Sequence, residues 1–242
     1  MDWLFDLGNS RLKFAPCADG VVGGAQAVAH DGRTLPEDWC RGLPERLATV
    51  YVASVAAPPV REALLAGLRA RGARVRLVST LAHCGGVTIA YARPQDLGVD
   101  RFLALLGAHA IGGAWLVVGV GTALTVDLID ASGRHHGGRI APSPAIMREA
   151  LHARVPHLPA EGGQYREFGA GTHDGLASGC LGAALGLVER SLREADTAIG
   201  QVPGLLLHGG GAEELAPWLP RARIEPALVL QGLACWARVQ DG

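Results

Sequence analysis

An internal repeat constrains the fold more than any other feature, because the two halves of the chain begin with the same pattern. Each half begins with an apolar strand, passes through a turn of small residues and returns as a second strand. The first turn is Asp6-Leu7-Gly8-Asn9-Ser10, and its counterpart Gly119-Val120-Gly121-Thr122-Ala123 follows about 110 residues later. This spacing is far longer than that of solenoid repeats, so it predicts a duplicated domain with a cleft between the copies.

The order of elements after the first turn favours an α/β fold. Residues 48–55 have the composition of a buried strand, residues 60–71 carry apolar side chains at helical spacing, and residues 75–78 form another short strand. This alternation predicts helices packed on a sheet. A helix over residues 100–110 is expected to end at Gly112-Gly113, which divides the chain into domains 1–113 and 114–242.

Composition excludes several classes of partner. The formal net charge of −1 provides no field that would attract nucleic acid or anionic lipid. The five cysteines are scattered and form no CxxC pair, which argues against a disulfide framework and a zinc site. The first residues include acids where a signal peptide has bases, and we find no uninterrupted apolar stretch of about 18 residues. We therefore expect a cytoplasmic protein with neither a nucleic-acid nor a membrane partner.

The small-residue turns are candidate phosphate-binding loops. Backbone N–H groups at such turns are accessible, and phosphate oxygens can approach them closely. Gly8 to Ser10, Gly121-Thr122 and Gly209 to Gly211 are the candidates. Neither a Walker loop nor a Rossmann GxGxxG follows the first strand. An ordinary hairpin turn is the alternative in each case.

Two charged residues of the first hairpin invite a functional interpretation. Asp6 lies in an apolar strand, where it either caps the neighbouring turn or holds a cation such as magnesium, because an unpaired buried carboxylate is costly. Lys13 is the only lysine in a chain that otherwise uses arginine for positive charge. A compact ammonium suits phosphate as a point charge, although a surface lysine retained by chance explains the same observation.

Asp100 and Arg101 are candidates for binding and activating a hydroxylated acid. Asp100 is an N-cap residue by type, but it could also accept the proton of an alcohol that is being phosphorylated. Arg101 could bind an anionic group of the same substrate. The nine histidines lack the HExxH spacing of a zinc helix, and we place His135-His136 in a polar turn.

Several segments, in order along the chain, resemble the type III pantothenate kinases. The most specific is the substrate segment Tyr91-Ala92-Arg93-Pro94-Gln95-Asp96-Leu97-Gly98-Val99-Asp100-Arg101, and the first phosphate loop is Asp6-Leu7-Gly8-Asn9-Ser10-Arg11-Leu12-Lys13. The other matching segments are Gly121 to Asp127, Gly137 to Pro142, Thr172 before a helix with Gly179, Gly209 to Gly211 and Leu228 to Leu233.

The resemblance implies an α/β fold with two ribonuclease-H-like domains of the actin-like and acetate and sugar kinase type, assembled as a homodimer. The active site would lie in the cleft between the domains. The implied reaction transfers the γ-phosphate of ATP to the terminal hydroxyl of pantothenate, the first step of coenzyme A biosynthesis. ATP would contact residues 6–13, Gly121 and Thr122, with Asp6 near Mg²⁺. Asp100 would be the catalytic base, and the pantothenate pocket would contain Tyr91, Gly98, Val99, Arg101 and Thr172.

One departure from the family pattern concerns a cofactor. Many members have an aspartate two residues before the Gly-Thr pair that is associated with K⁺ or NH₄⁺, whereas this chain has Gly119. We therefore expect weak or no dependence on a monovalent cation. Two alternatives to a kinase stay open at this point: a regulatory protein of the Bvg accessory factor type that retains the fold, and a phosphatase or ATPase of the same superfamily.

Overall fold

The computed structural model describes residues 1–241, which form thirteen strands and six α-helices. In chain order they are β1 (Asp2–Leu7), β2 (Arg11–Ala18), β3 (Val21–Val22), β4 (Gln26–Ala29), β5 (Thr49–Ser54), α1 (Pro58–Ala70), β6 (Arg74–Leu77), β7 (His83–Cys84), β8 (Val87–Thr88), α2 (Val99–Ile111), β9 (Trp115–Val120), β10 (Ala123–Ile129), β11 (His135–Pro142), α3 (Pro144–Arg154), α4 (Thr172–Ile199), β12 (Gly204–His208), α5 (Ala212–Leu215), β13 (Ala222–Ile224) and α6 (Leu228–Asp241).

The chain forms two compact units that are not contiguous in sequence. The first unit contains Met1–Gly112, Ala131–His135 and the segment from Ala227 onward, and the second contains Gly113–Asp130 and His136–Pro226. The division expected from the sequence, at residue 113, was contiguous. The structure instead assigns α6 and the segment Ala131–His135, which ends on the first residue of β11, to the first unit.

The sheet of the first unit has the order β3-β2-β1-β5-β6, with β4 also paired to β2. The hairpin β1–β2 is antiparallel, and β5 and β6 continue the sheet as parallel strands. Strand β2 continues through Pro16 to Ala18. Pro16 lies in the gap between the segments that pair with β4 and β3, so no ladder hydrogen bond there requires its missing N–H.

The alternation of side chains along β1 places Phe5 and Leu7 on one face of the sheet and Asp6 on the other. Phe5 and Leu7 are fully buried in a cluster that includes Leu64 and Leu68 of α1. Because successive side chains of a strand point to opposite faces, Asp6 lies on the other face. On that opposite face, Tyr51 of β5 packs edge-on against Trp236 of α6, with ring centroids 6.3 Å apart.

The close packing of α6 on α2 explains why the last helix belongs to the first unit. A Cβ atom added at Gly107 of α2 would lie 2.5 Å from the carbonyl oxygen of Leu228. The two backbones therefore approach each other at a distance that only glycine permits. Gly232 of α6 makes a similar approach to the backbone of Leu103.

The sheet of the second unit repeats this arrangement with the order β11-β10-β9-β12-β13. Strands β9 and β10 form an antiparallel hairpin, and β12 and β13 are parallel to β9. The core contains Val118 and Val120 of β9 together with Ala184 and Val188 of α4, all essentially inaccessible to solvent. The duplicated strand pattern predicted from the two turns is therefore present in both sheets.

Within residues 1–241, we find no helix that combines the length and the hydrophobicity needed to span a membrane.

Candidate active site

Asp6, Lys13 and Asp100 form a group of coupled charges in the first unit. Asp6 is half-buried and directly opposite Lys13 in the β1–β2 register. Burial, and next the negative charge of Asp100, raise the pKa of Asp6 from 3.8 to about 7, although Lys13 opposes this shift. Burial also lowers the pKa of Lys13, and Asp6 acts in the opposite direction. The structure thus couples the charge of Asp100 to that of Asp6 in the β1–β2 hairpin, from which Asp100 is far removed in sequence.

The turn between Asp6 and Lys13 is held by a residue that the sequence did not single out. His30, just after β4, donates its backbone N–H to the carbonyl of Ser10 at 2.9 Å, and its Nε2 lies 3.0 Å from the carbonyl oxygen of Gly8. Since a carbonyl only accepts, Nε2 must carry the proton. The N–H of Gly8 bonds the carbonyl of Arg11 across the turn at 2.9 Å. Asn9, Ser10 and Arg11 are exposed, as a phosphate-binding loop requires.

Asp100 is not the N-cap of α2, contrary to the conventional interpretation of its position. The helix begins at Val99, its N-cap is Gly98, and Asp100 lies in the first turn. The Asp100 carboxylate accepts the backbone N–H of Arg101 at 2.8 Å. A Cβ atom at Gly98 would lie 2.6 Å from Oδ1 of Asp100, so glycine provides room for this carboxylate. Val99 itself is buried.

Arg101 and Tyr91 are in contact in the first unit. Arg101 is only 6% exposed, and its Nη1 donates to the Tyr91 hydroxyl at 3.3 Å. The guanidinium carbon lies 5.8 Å from the centroid of the Tyr91 ring. A buried guanidinium at a binding site suits a carboxylate ligand, because its donors form a planar fork.

His135 does not lie in a polar turn, as we had expected. It is 1% exposed and begins β11, and its imidazole stacks on the Tyr91 ring with centroids 6.0 Å apart and planes inclined by 6°. The neighbouring His136 does have a polar environment, since its Nε2 lies 2.7 Å from a carboxylate oxygen of Asp130. The difference arises because residues 131–135 pack into the first unit.

The second small-residue turn lies in the second unit, beside the glycine run at residues 209–211. Gly121 and Thr122 are exposed, and the N–H of Gly121 bonds the carbonyl of Ala123 at 2.9 Å. Gly211 donates its N–H to the carbonyl of Val120 at 2.9 Å. Two of the predicted phosphate-binding turns are therefore neighbours. Thr172 is exposed at the start of α4, in the same unit.

The position that carries an aspartate in many relatives of the predicted family is filled differently here. Gly119 pairs with Thr125 of β10 on one side and with His208 of β12 on the other. A Cβ atom at Gly119 would lie 2.7 Å from the Thr125 hydroxyl oxygen and 2.9 Å from Nε2 of His208. A side chain at position 119 would therefore have to displace Thr125 or His208, and the residues present do not match a site for a monovalent cation.

The residues of the first unit do fit a magnesium ion that is shared with phosphates. Magnesium is commonly held by one or two carboxylates, phosphate oxygens and water. Asp6 supplies one carboxylate beside an exposed turn, and its raised pKa shows how unfavourable the negative charge is without a cation. Among residues 1–241 there is no cluster of three or more histidine, cysteine or acidic side chains suited to a metal, so a metal held by protein groups alone is not indicated.

Comparisons with known sequences agree along almost the whole chain. A family model described as type III pantothenate kinase matches residues 3–194. The chain is 56% identical over 236 residues to a type III pantothenate kinase of Stenotrophomonas maltophilia, covering 98% of this chain and 97% of the relative. It is 54% identical over 237 residues to the enzyme of that name from Xanthomonas euvesicatoria, with the same coverage of both chains.

Solved structures at low identity support the fold. A Campylobacter jejuni protein described as a Baf family transcriptional activator has a TM-score of 0.65 at 20% identity, and covers 99% of this chain and 98% of its own. A Sinorhizobium meliloti protein described as a 2-dehydro-3-deoxygalactonokinase has a TM-score of 0.60 at 18% identity, with 98% of each chain covered. Together with the two sheets of like order, these matches confirm the predicted α/β fold of the actin-like and sugar kinase type.

Proposed function

The chain belongs to the type III pantothenate kinase family and is an ATP-dependent kinase acting on pantothenate, and we propose that Asp100 is the base of the transfer. One observation carries this assignment: Asp100 is close enough to Asp6 to raise its pKa, and Asp6 is paired with the only lysine. A base, a cation ligand and a phosphate-binding ammonium thus lie in one group. These are the parts that phosphoryl transfer to an alcohol requires.

In the proposed reaction, Asp100 accepts the proton of the terminal hydroxyl of pantothenate as the oxygen attacks the γ-phosphorus. The bond from that phosphorus to the bridging oxygen breaks, and ADP leaves. The acceptance of a hydrogen bond from the Arg101 N–H keeps the Asp100 carboxylate in one orientation at the start of α2.

The nucleotide would be bound by the two small-residue turns. We assign residues 6–13 to the phosphates, because Gly8 to Arg11 form a turn that His30 holds in place while Asn9 and Ser10 remain exposed. Gly121 and Thr122 are assigned to ATP in the same way within the second unit. Asp6 would hold the magnesium ion, which when bound neutralises charge on the phosphate oxygens. Lys13 adds a point charge.

Pantothenate would be recognised through its carboxylate by Arg101. The support is the buried guanidinium, whose position is fixed by its bond to the Tyr91 hydroxyl. Gly98 and Val99 would line the same pocket at the start of α2, and Thr172 is assigned to the substrate by family resemblance.

The proposal includes weak or no dependence on potassium or ammonium, because Gly119 is crowded by Thr125 and His208. It also includes assembly as a homodimer and a cytoplasmic location, both supported by membership of the family. The near-neutral net charge supports the expectation that nucleic acid is not a partner.

The direct test is an assay of the purified protein with Mg-ATP and pantothenate, in which ADP and phosphopantothenate are measured together. Asp100→Asn keeps the size of the side chain but removes the proton acceptor, and we expect kcat to fall by about 10²-fold or more. Asp96→Asn is the matched control, because Asp96 lies in the same segment, is exposed and pairs with Arg93 at 2.8 Å. The control should retain activity.

Three other results would change the proposal. Full activity in Asp100→Asn would leave the kinase intact but remove Asp100 from its role as base. Absence of phosphopantothenate from folded wild-type protein that binds ATP would favour the regulatory alternative. Release of phosphate without phosphopantothenate would indicate an ATPase.

A further inference from the structure

His135 lies behind the predicted carboxylate-binding pair, in a place that its sequence context does not suggest. Its Nδ1 lies 3.3 Å from the backbone nitrogen of Ala90, the residue before Tyr91. Since the amide is a donor, Nδ1 is the acceptor, and the imidazole proton is assigned to Nε2. A second hydrogen bond joins the same two segments two residues earlier in each, where the N–H of Thr88 donates to the carbonyl of Gly133 at 3.0 Å.

Three planar groups follow one another in this part of the first unit. The His135 imidazole is nearly parallel to the Tyr91 ring, with planes 6° apart. The Tyr91 hydroxyl in turn accepts from Arg101, whose guanidinium carbon lies 5.8 Å from the ring centroid. His135 and Arg101 are 1% and 6% exposed, whereas Tyr91 is half-buried. The two deeply buried members therefore both contact the half-buried Tyr91 side chain.

We propose that His135 is a positioning residue for substrate selection: it fixes the plane of Tyr91 and thereby the direction in which Arg101 presents its guanidinium to the substrate carboxylate. This inference rests on the proposed role of Arg101. His135 does not touch the substrate in this scheme. Its effect on substrate binding passes through the Tyr91 ring.

The physical reason is that Tyr91 has two soft torsions and a side chain that is only half-buried. A phenol ring that can tilt would move its hydroxyl, and the bond to Nη1 of Arg101 would weaken as its geometry departed from 3.3 Å. Arginine binds a carboxylate through two parallel bonds, so a rotated fork loses one of them. The parallel imidazole of His135 limits this tilt of the Tyr91 ring. The hydrogen bond from the Ala90 N–H in turn holds the imidazole in position.

Ordinary core packing is the competing explanation, and it predicts a different pattern of kinetics. A core residue that merely stabilises the fold would affect pantothenate, ATP and turnover together as folded protein is lost. A positioning residue should affect the pantothenate KM and the preference for a charged carboxylate, with little effect on ATP or on kcat at saturation.

The experiment compares pantothenate with its analogue in which a primary amide replaces the carboxylate. The wild-type protein should prefer the acid strongly, because the arginine loses a charged partner in the amide. His135→Ala should raise the pantothenate KM by about 3- to 10-fold, the range expected from loss of one aromatic stack, and reduce the acid-to-amide preference by a similar factor. The ATP KM should stay within about 2-fold of wild type, because ATP is assigned to residues 6–13, Gly121 and Thr122 and not to the pocket of Tyr91 and Arg101.

Two further variants separate the ring from its hydrogen bond. His135→Phe keeps a flat ring but loses the acceptor for Ala90, and it should retain most of the preference for the acid. His135→Asn keeps an acceptor without the ring, and it should behave like the alanine variant. His136→Ala is the matched control, since His136 is the next residue and bonds Asp130 instead. It should resemble wild type in all measurements, and thermal melts would show that each protein is folded.

The outcomes distinguish this inference from the proposed function. Wild-type KM and preference in a folded His135→Ala or His135→Asn variant would overturn the role of His135, and so would equal losses for both substrates. Arg101→Gln provides the reference: if that variant keeps the acid preference, the assignment of the carboxylate to Arg101 is wrong, whatever His135 does. If the wild-type protein makes no phosphopantothenate, the proposed function itself fails.

Discussion

The two hairpins β1–β2 and β9–β10 occupy equivalent places in the two sheets, yet they differ at one central position. Each is an antiparallel pair whose first strand also pairs with a parallel strand, and each turns through small residues. The last paired residue before the turn is Leu7 in β1 and Val120 in β9. The residue before it is Asp6 in β1 and Gly119 in β9. One copy therefore carries an acid where the other carries no side chain.

The neighbouring parallel strand places a small residue beside Asp6 and a large residue beside Gly119. Asp6 has Ala53 beside it in the parallel strand β5, and its charge is opposed by Lys13. Gly119 has His208 beside it in β12, whose ring occupies the space that a side chain would need. The same backbone thus supports a carboxylate in one sheet and, in the other, a glycine whose side-chain space is occupied by His208. The chemical asymmetry of a duplicated fold arises from single positions on shared strands.

The largest expected effect comes from neutralising the acid of the first hairpin. Asp6→Asn removes the carboxylate assigned to magnesium, and we expect kcat/KM to fall by about 10²-fold or more, as for other groups that stabilise transferred phosphoryl charge. Steady-state kinetics over a range of Mg²⁺ concentrations would measure this loss. Asp38→Asn, at an exposed site in the same unit, is the control. Activity that is restored by excess magnesium would mean that Asp6 only assists binding of the ion.

Filling the empty position of the second hairpin should cost stability. Gly119→Ala places a Cβ against Thr125 and His208, and we expect the free energy of unfolding to fall by about 1–3 kcal/mol. Urea denaturation would measure the change. Gly186→Ala in α4 is the matched control, because a Cβ there meets nothing within 4 Å and should leave stability equal or improved.

A double mutant sharpens the comparison of the two hairpins. If His208 is the neighbour that excludes a side chain, Gly119→Ala combined with His208→Ala should recover part of the loss, with a coupling energy of at least about 0.5 kcal/mol. Strictly additive losses would show that the Thr125 side, and not His208, sets the limit.

The charge of Asp6 should also make the stability of the nucleotide-free protein depend on pH. Its pKa is about 7 in the folded chain and 3.8 as the ordinary value, so the folded state binds a proton that the unfolded state releases between these values. Stability should therefore fall as pH rises from about 4 to 7. Asp6→Asn should remove this contribution, so that its stability relative to wild type is higher by about 1 kcal/mol or more at pH 8 than at pH 4.

Urea melts of both proteins at pH 4, 6 and 8 without magnesium would test the effect. Parallel stability curves for wild type and Asp6→Asn would mean that Asp6 is not protonated in the folded state. Asp38→Asn should follow the wild-type curve, because its side chain is exposed.

Local sequence patterns were sufficient to predict strands and turns, but not to predict which elements pack against each other. Alternation in β1 and a small-residue turn place Asp6 opposite Lys13 without any knowledge of the rest of the fold. The sequence around His135 is polar and glycine-rich, so it predicted a turn, and the burial of His135 depends on residues 131–135 joining the first unit. The same holds for α6, because an amphipathic helix does not specify the sheet it covers.

The candidate site likewise contains residues that the sequence identified and residues that only the structure identified. A resemblance to known motifs identified the residues of the phosphate loop and of the substrate segment, whose roles stay predictions. His30 and His135 could not be found in this manner, because each acts on a neighbour through a backbone contact formed only in the folded chain. Only the tertiary structure determines these contacts. Asp100 shows a smaller error, since its residue type suggested an N-cap while Gly98 holds that position.

The smallest expected effect is the response to potassium, and it tests the second hairpin directly. With Gly119 in place of an acid, and Thr125 and His208 where a side chain would project, no carboxylate is available there to hold the ion. Replacing sodium by potassium at constant ionic strength should change kcat/KM by less than about 2-fold, since long-range screening by the two salts is the same. A gain of 10-fold or more would require a potassium site elsewhere in the chain. It would also mean that the two hairpins are less different in charge than Asp6 and Gly119 make them.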